Sequence, residues 1–175
     1  MKPDFEILLS GGPRNGVGAR DDAAAMAKAD PSLLPSLFRA MLSQRAEVAM
    51  RAASAFDLAS QNHPETIADL KEEILAAFDR VLQPDVRWHL YSVSARLDLS
   101  EAEALALAAR LEGLIETETS RIAVVNALQA LFDLALKFQG LREKLRVILQ
   151  AQCHHEAGSI RARARKLLSD KRYRL

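Results

Sequence analysis

EVAMRAASAF (Glu47–Phe56), DVRWHLYSVS (Asp85–Ser94), IAVVNALQAL (Ile122–Leu131) and SIRARARKLL (Ser159–Leu168) align without gaps. Their second residues, Val48, Val86, Ala123 and Ile160, lie 38, 37 and 37 positions apart. A separate apolar-periodic stretch precedes each segment, opening at Pro31, Pro64, Ser100 and Leu141. The repeating unit is therefore a pair of helices, recurring about every 37 residues, and such a period marks an array in which each unit buries its apolar face against its neighbours.

The helical reading rests on periodicity. Apolar residues recur three and four positions apart, and no run of β-branched residues alternates with polar ones for long enough to make a strand. Helix starts are marked by Asp30 before Pro31, by Asn62 or His63 before Pro64, and by Ser100 with Glu103 three residues on, the spacing of a capping box. Gly140 and Gly158 fall where the chain would reverse. The expected fold class is all-α.

Helical geometry sorts each second helix into faces. Counted from the aligned residue, offsets 0, 4, 7 and 11 share one side: Val48, Ala52, Ala55 and Ala59; Val86, Leu90, Val93 and Leu97; Ala123, Ala127, Ala130 and Leu134; Ile160, Ala164 and Leu167, with Lys171 where the pattern runs out. These read as the buried seam. Offsets 3, 6 and 10 lie roughly a third of a turn away and are polar except at Leu58: Arg51 and Ser54; His89, Ser92 and Arg96; Asn126, Gln129 and Asp133; Arg163, Lys166 and Asp170. Trp88, at offset 2, has the apolar equivalents Met50, Val125 and Ala162, which favours packing between repeats over an exposed ligand-stacking role. His89 has no carboxylate beside it in sequence and reads as a solvated or hydrogen-bonded histidine.

The Pro-x-Leu-Leu-Pro-x-Leu run of Pro31 to Leu37 and the steps Val86-Arg87 and Ile160-Arg161 resemble the HEAT repeat family. The likeness is to a short version of that repeat and covers about Asp30 to Asp170. Small bacterial HEAT-like proteins of uncharacterised function look similar in the Gly-rich N-terminal segment, in Arg87-Trp88-His89-Leu90 and in the ending from Arg161 to Leu168. The third repeat departs from the pattern, with Ala123 and Val124 in place of a β-branched residue and an arginine. The resemblance implies an α-α superhelix, a short right-handed α-solenoid of about four hairpins (residues 30–61, 62–98, 99–139 and 140–170) behind an N-terminal capping segment, residues 1–29.

Four of the seven glycines fall in SGGPRNGVGAR, Ser10 to Arg20. A phosphate-binding loop would need a preceding strand and a Gly-Lys-Ser/Thr ending, and Gly16-Val17-Gly18-Ala19-Arg20 has neither. The expected role is to join a short helix, Phe5 to Leu9, to one over Asp21 to Ala29, the two together covering the open end of the first repeat. Anion binding by the loop amides and Arg14 is the minor alternative.

Charge is uneven. The chain carries 24 basic and 23 acidic residues, but seven of the basic ones and a single acid, Asp170, follow Ala157. A mildly acidic body with a basic end lacks the field of a general nucleic-acid binder. Met1 to Leu9 contains Asp4 and Glu6 where a signal peptide would be apolar, and charges interrupt every long apolar run, so neither a leader nor a membrane span is expected. With Cys153 as the single cysteine, the expectation is a cytoplasmic protein. Cys153-His154-His155-Glu156 lacks the i, i+4 spacing of helical metal ligands, and no nucleophile, base or carboxylate cluster is evident, so no metal, cofactor or catalytic residue is assigned.

In a solenoid the second helices line the concave surface. The polar ladder is therefore the expected binding site for a protein or peptide, with Arg51, His89, Arg96, Asn126, Asp133, Arg163 and Lys166 as contacts in a non-enzymatic scaffold. The plainer reading is a stripe that solvates the helices. Against a purely solvating stripe, Arg, His, Asn, Gln and Ser offer directional donors and acceptors where Glu and Lys would usually stand. The alternative function is nucleic-acid binding of the kind shown by HEAT-like DNA glycosylases. The basic end from Arg161 to Arg174 speaks for it, and the scarcity of aromatic residues for stacking speaks against it.

Overall fold

A computed structural model describes residues 3–13 and 16–173; Arg14 and Arg174 lie outside them. Among the described residues all regular structure is helical. Ten α-helices follow in order: α1 Phe5–Leu8, α2 Arg20–Ala29, α3 Leu34–Met41, α4 Ala46–Ser60, α5 Lys71–Arg80, α6 Pro84–Ser94, α7 Glu101–Thr117, α8 Arg121–Lys137, α9 Arg142–Gln152 and α10 Gly158–Leu168. They fall into two compact units, Met1–Leu97 and Asp98–Leu175.

In the first unit, α3 packs against α4, α5 against α6, and α4 against α6. Short connections, residues 42–45 and 81–83, fold α4 back on α3 and α6 back on α5. Proline sets two of the starts: Pro35 and Pro84 sit in first turns, where the missing amide hydrogen has no intrahelical acceptor to lose. Asp30 accepts from the Ser32 amide at 3.0 Å and begins the 3₁₀ turn Pro31–Leu33, which runs into α3. The predicted helix from Pro64 starts as a 3₁₀ stretch, Pro64–Leu70, before α5. Phe38 of α3 meets Phe56 of α4 with ring centroids 5.5 Å apart, and Phe78 of α5 meets Tyr91 of α6 at 5.6 Å. Of the N-terminal helices, α1 packs on α3, and α2, with Ala23, Ala24 and Ala27 buried, packs on α4.

The second unit repeats the scheme. α7 packs on α8, α9 on α10, and α8 on α9 and α10. Ser100 caps α7 as a full capping box, its hydroxyl accepting from the Glu103 amide while the Glu103 carboxylate accepts from the Ser100 amide at 2.6 Å. Ser120 caps α8 with its hydroxyl alone, which accepts from the Ala123 amide. Gly140 lies in the 3₁₀ turn Gln139–Leu141 that leads into α9, and Gly158 is the first residue of α10.

All fifteen apolar seam residues named from the alignment, from Val48 to Leu167, are buried. The phase of each second helix was therefore set correctly by the repeat, and the polar ladder could be placed relative to a known inner face.

Candidate functional site: two polar seams and a cationic helix

Arg51 is not on a solvated ladder. It is the largest fully buried side chain among the described residues, 1% exposed, and carbonyls on both sides of Arg14 and Asn15 surround its guanidinium. Nε donates to the Gly16 carbonyl at 2.9 Å, Nη1 to the carbonyls of Leu9 at 2.6 Å and Gly11 at 2.8 Å, and Nη2 to that of Pro13. Gly18 closes the wrap: its φ is +51°, and a Cβ there would lie 3.1 Å from the guanidinium carbon. Glycine is required twice over, for a left-handed backbone and for close approach. The loop thus turns carbonyl oxygens inward around a cation, the reverse of a phosphate cradle, in which amides point at an anion. Arg51 is corrected from a partner contact to an internal ligand of the Leu9, Gly11, Pro13 and Gly16 carbonyls. The repeat alignment could not show this, because the covering segment lies outside the repeat.

The rest of the first unit's ladder is tied together across α4 and α6. His89 is 5% exposed, and its Nδ1 lies 2.7 Å from Oδ2 of Asp57. The other Asp57 oxygen accepts from Arg96 Nη2, while Arg96 Nη1 reaches the Asp57 carbonyl at 3.2 Å and Nε the Ser92 carbonyl at 3.1 Å. Helix α6 stops at Ser94, so Arg96 sits just past it and clamps the end of α6 to α4. Trp88, half-buried, stacks on the His89 ring with centroids 3.5 Å apart. Asp57 is the residue that sequence reasoning missed. Its signal was the exception at Leu58: an apolar residue at offset 10 moves the polar position back by one.

In the second unit Arg163 Nη1 donates to Gln129 Oε1 at 2.6 Å, and Gln129 Nε2 donates to Asp133 Oδ1 at 2.9 Å. Asn126 spends its amide on the Ile122 carbonyl of its own helix, at 2.9 Å. Lys166 is exposed. Asp170 caps the 3₁₀ turn Lys171–Tyr173 and holds the Arg172 guanidinium through Nε at 3.0 Å and Nη2 at 2.8 Å. Those hydrogen bonds from the Arg172 side chain, then the one from its amide, lower the Asp170 carboxyl from 3.8 to about 2.

Helix α10 carries Arg161, Arg163, Arg165 and Lys166 and no acidic residue. Arg161 Nη1 donates to the carbonyls of His155 at 2.8 Å and Glu156 at 2.6 Å. Arg165, Lys166 and Lys171 are exposed and form no ion pair among the described residues. Nearby, the Cys153 to Glu156 string forms the turn between α9 and α10. There His155 Nδ1 accepts from the Ala157 amide at 2.9 Å, which removes one nitrogen from any ligand role. No group of three potential metal ligands occurs among the described residues.

Comparison with protein-family models, curated proteins and solved structures found no match to this chain. Among the described residues, no helix is long and apolar enough to cross a membrane.

Proposed function

We propose that this chain is a non-enzymatic, cytoplasmic scaffold that binds a protein or peptide along the second helices of a short HEAT-like α-solenoid. The carrying observation is that the polar groups of the seams are already positioned. Asp57, His89 and Arg96 fix one another in the first unit, and Arg163, Gln129 and Asp133 do so in the second. Side chains held in place before contact lose less rotamer freedom on binding, so each retained donor contributes more of its gross interaction. Arg163 commits one of its five N–H groups to Gln129 and keeps the rest for a partner. Packing of α4 on α6 and of α8 on α10 supports the stacked arrangement that a solenoid requires.

The test is a crosslinked pull-down comparing wild type with an Arg163→Glu, Lys166→Glu variant of equal helicity. A protein retained by wild type alone supports the ladder. Equal retention by both removes it, and the next surface to alter is a groove of mixed polarity, about 460 Å³, lined by Met41, Leu42, Gln44, Arg80, Leu82 and Gln83, where Leu82 is 80% exposed. The second reading, nucleic-acid binding, draws on the four clustered cations of α10. Recovery of nuclease-sensitive material alone would favour it, with steep salt dependence as its signature.

A further inference from the structure

We infer that the exposed half of α10 is the ligand-contacting surface of the second unit and that it takes a short acidic peptide segment. The inference rests on the scaffold reading and names its ligand. Ile160, Ala164 and Leu167 mark the buried side of the helix. At 3.6 residues per turn, Arg161 and Arg165 then flank the exposed side on one edge, and Arg163 and Lys166 on the other. Cations therefore reach over both edges of one solvent-facing strip.

A solvated terminal helix needs charge, but not charge of one sign. α7 carries four glutamates, and α9 opens on Arg142-Glu143-Lys144, where Arg146 and Glu143 pair within the helix and Lys144 pairs with Glu112 of α7. α10 does neither. Arg161 and Arg165 are like charges four residues apart, which work against each other, and Arg161 lies near the positive end of the helix dipole. A carboxylate ligand would relieve both, and arginine forks match carboxylates in paired hydrogen bonds.

Size selects a peptide over a nucleic acid. The eleven residues of α10 extend about 16 Å at 1.5 Å per residue. About five extended peptide residues cover that length. A duplex carries charge along its whole axis and would run on over a chain with 22 acidic and 17 basic residues before Ala157. Screening confines the helix's attraction to about 8 Å at physiological salt, too short to offset that. The aromatic rings beside α10 are also engaged: Phe132 and Tyr173 lie 5.7 Å apart, and the Tyr173 hydroxyl donates to the Arg142 carbonyl, so neither ring is offered for base stacking.

The experiment is fluorescence anisotropy of a fluorescein-labelled hexa-aspartate, with a hexa-serine control, on the full chain at about 20 mM and about 150 mM salt. Expected are saturable binding of hexa-aspartate that weakens with salt, no binding of hexa-serine, and about a tenfold loss in an Arg165→Glu, Lys166→Glu variant with unchanged melting temperature. Should that variant fold poorly, Arg165→Gln, Lys166→Gln must show the same direction of loss. Three results would overturn the inference: no binding at low salt, equal binding by the variant, or tighter binding of a duplex of about 20 base pairs that the same variant loses. If hexa-aspartate fails while the pull-down still yields a protein retained by wild type alone, the acidic ligand falls and the scaffold stands.

Discussion

Arg51 and Asp57 sit six residues apart on α4 and do opposite jobs with the same economy, each satisfying several partners at once. Truncating Arg51 to Ala strips four carbonyls of their donor and should cost about 3 kcal/mol in urea unfolding, with hydrogen exchange rising first at residues 10–18. Gly18→Ala tests the same wrap from the loop side. A positive φ and a contact at 3.1 Å should together cost about 1–2 kcal/mol. For Asp57 the informative measurement is a double-mutant cycle with His89, for which a coupling of about 1 kcal/mol is expected; additivity would mean the pair contributes nothing of its own. These residues also show where the sequence was legible and where it was not. Periodicity grouped Arg51 and His89 with the polar offsets of their helices, yet both side chains are buried. Periodicity carries no information about what covers a side. Arg51 was covered by a segment with no counterpart in the repeat, and His89 found its carboxylate 32 residues away, a pairing that local spacing cannot reveal.

At the scale of single elements, caps and terminal turns carry effects that the sequence did announce. The Ser100-x-x-Glu103 box was readable because both of its hydrogen bonds are local, and Ser100→Ala should destabilise the second unit by about 1 kcal/mol and fray the start of α7. The turn after α10 gives a pH dependence with a definite sign. Asp170 titrates at about 2 in the folded chain against 3.8 ordinarily, so its favourable contacts are fully present above pH 4 and fade as pH falls toward 2. Following its carboxyl carbon by NMR should give that low midpoint, and Asp170→Asn should flatten this part of the acid-unfolding profile. A midpoint near 3.8 would show that the Arg172 contacts do not persist in solution.

Over the whole molecule, the hairpin repeat decided the class because its evidence is redundant: four aligned segments must agree on one phase, and a chance pattern in one would have clashed with the rest. The division at Leu97 was not legible, since the repeat spacing runs through it unchanged. Each unit encloses its own apolar seam, so fragments 1–97 and 98–175 expressed separately should both give helical circular dichroism. Loss of helicity in either would show that its core needs the other.

The loop around Arg51 has a consequence for how the chain is made. Leu9, Gly11, Pro13 and Gly16 precede the arginine that organises them by 35 to 42 residues. On the ribosome those residues emerge first and must wait, without their central cation, until α4 has been synthesised and released. At ordinary elongation rates that interval is on the order of seconds, far longer than a helix needs to form. The carbonyls of Leu9, Gly11, Pro13 and Gly16 are therefore made well before the arginine that gathers them, and a nascent chain stalled before Arg51 clears the exit tunnel should leave that segment open to protease.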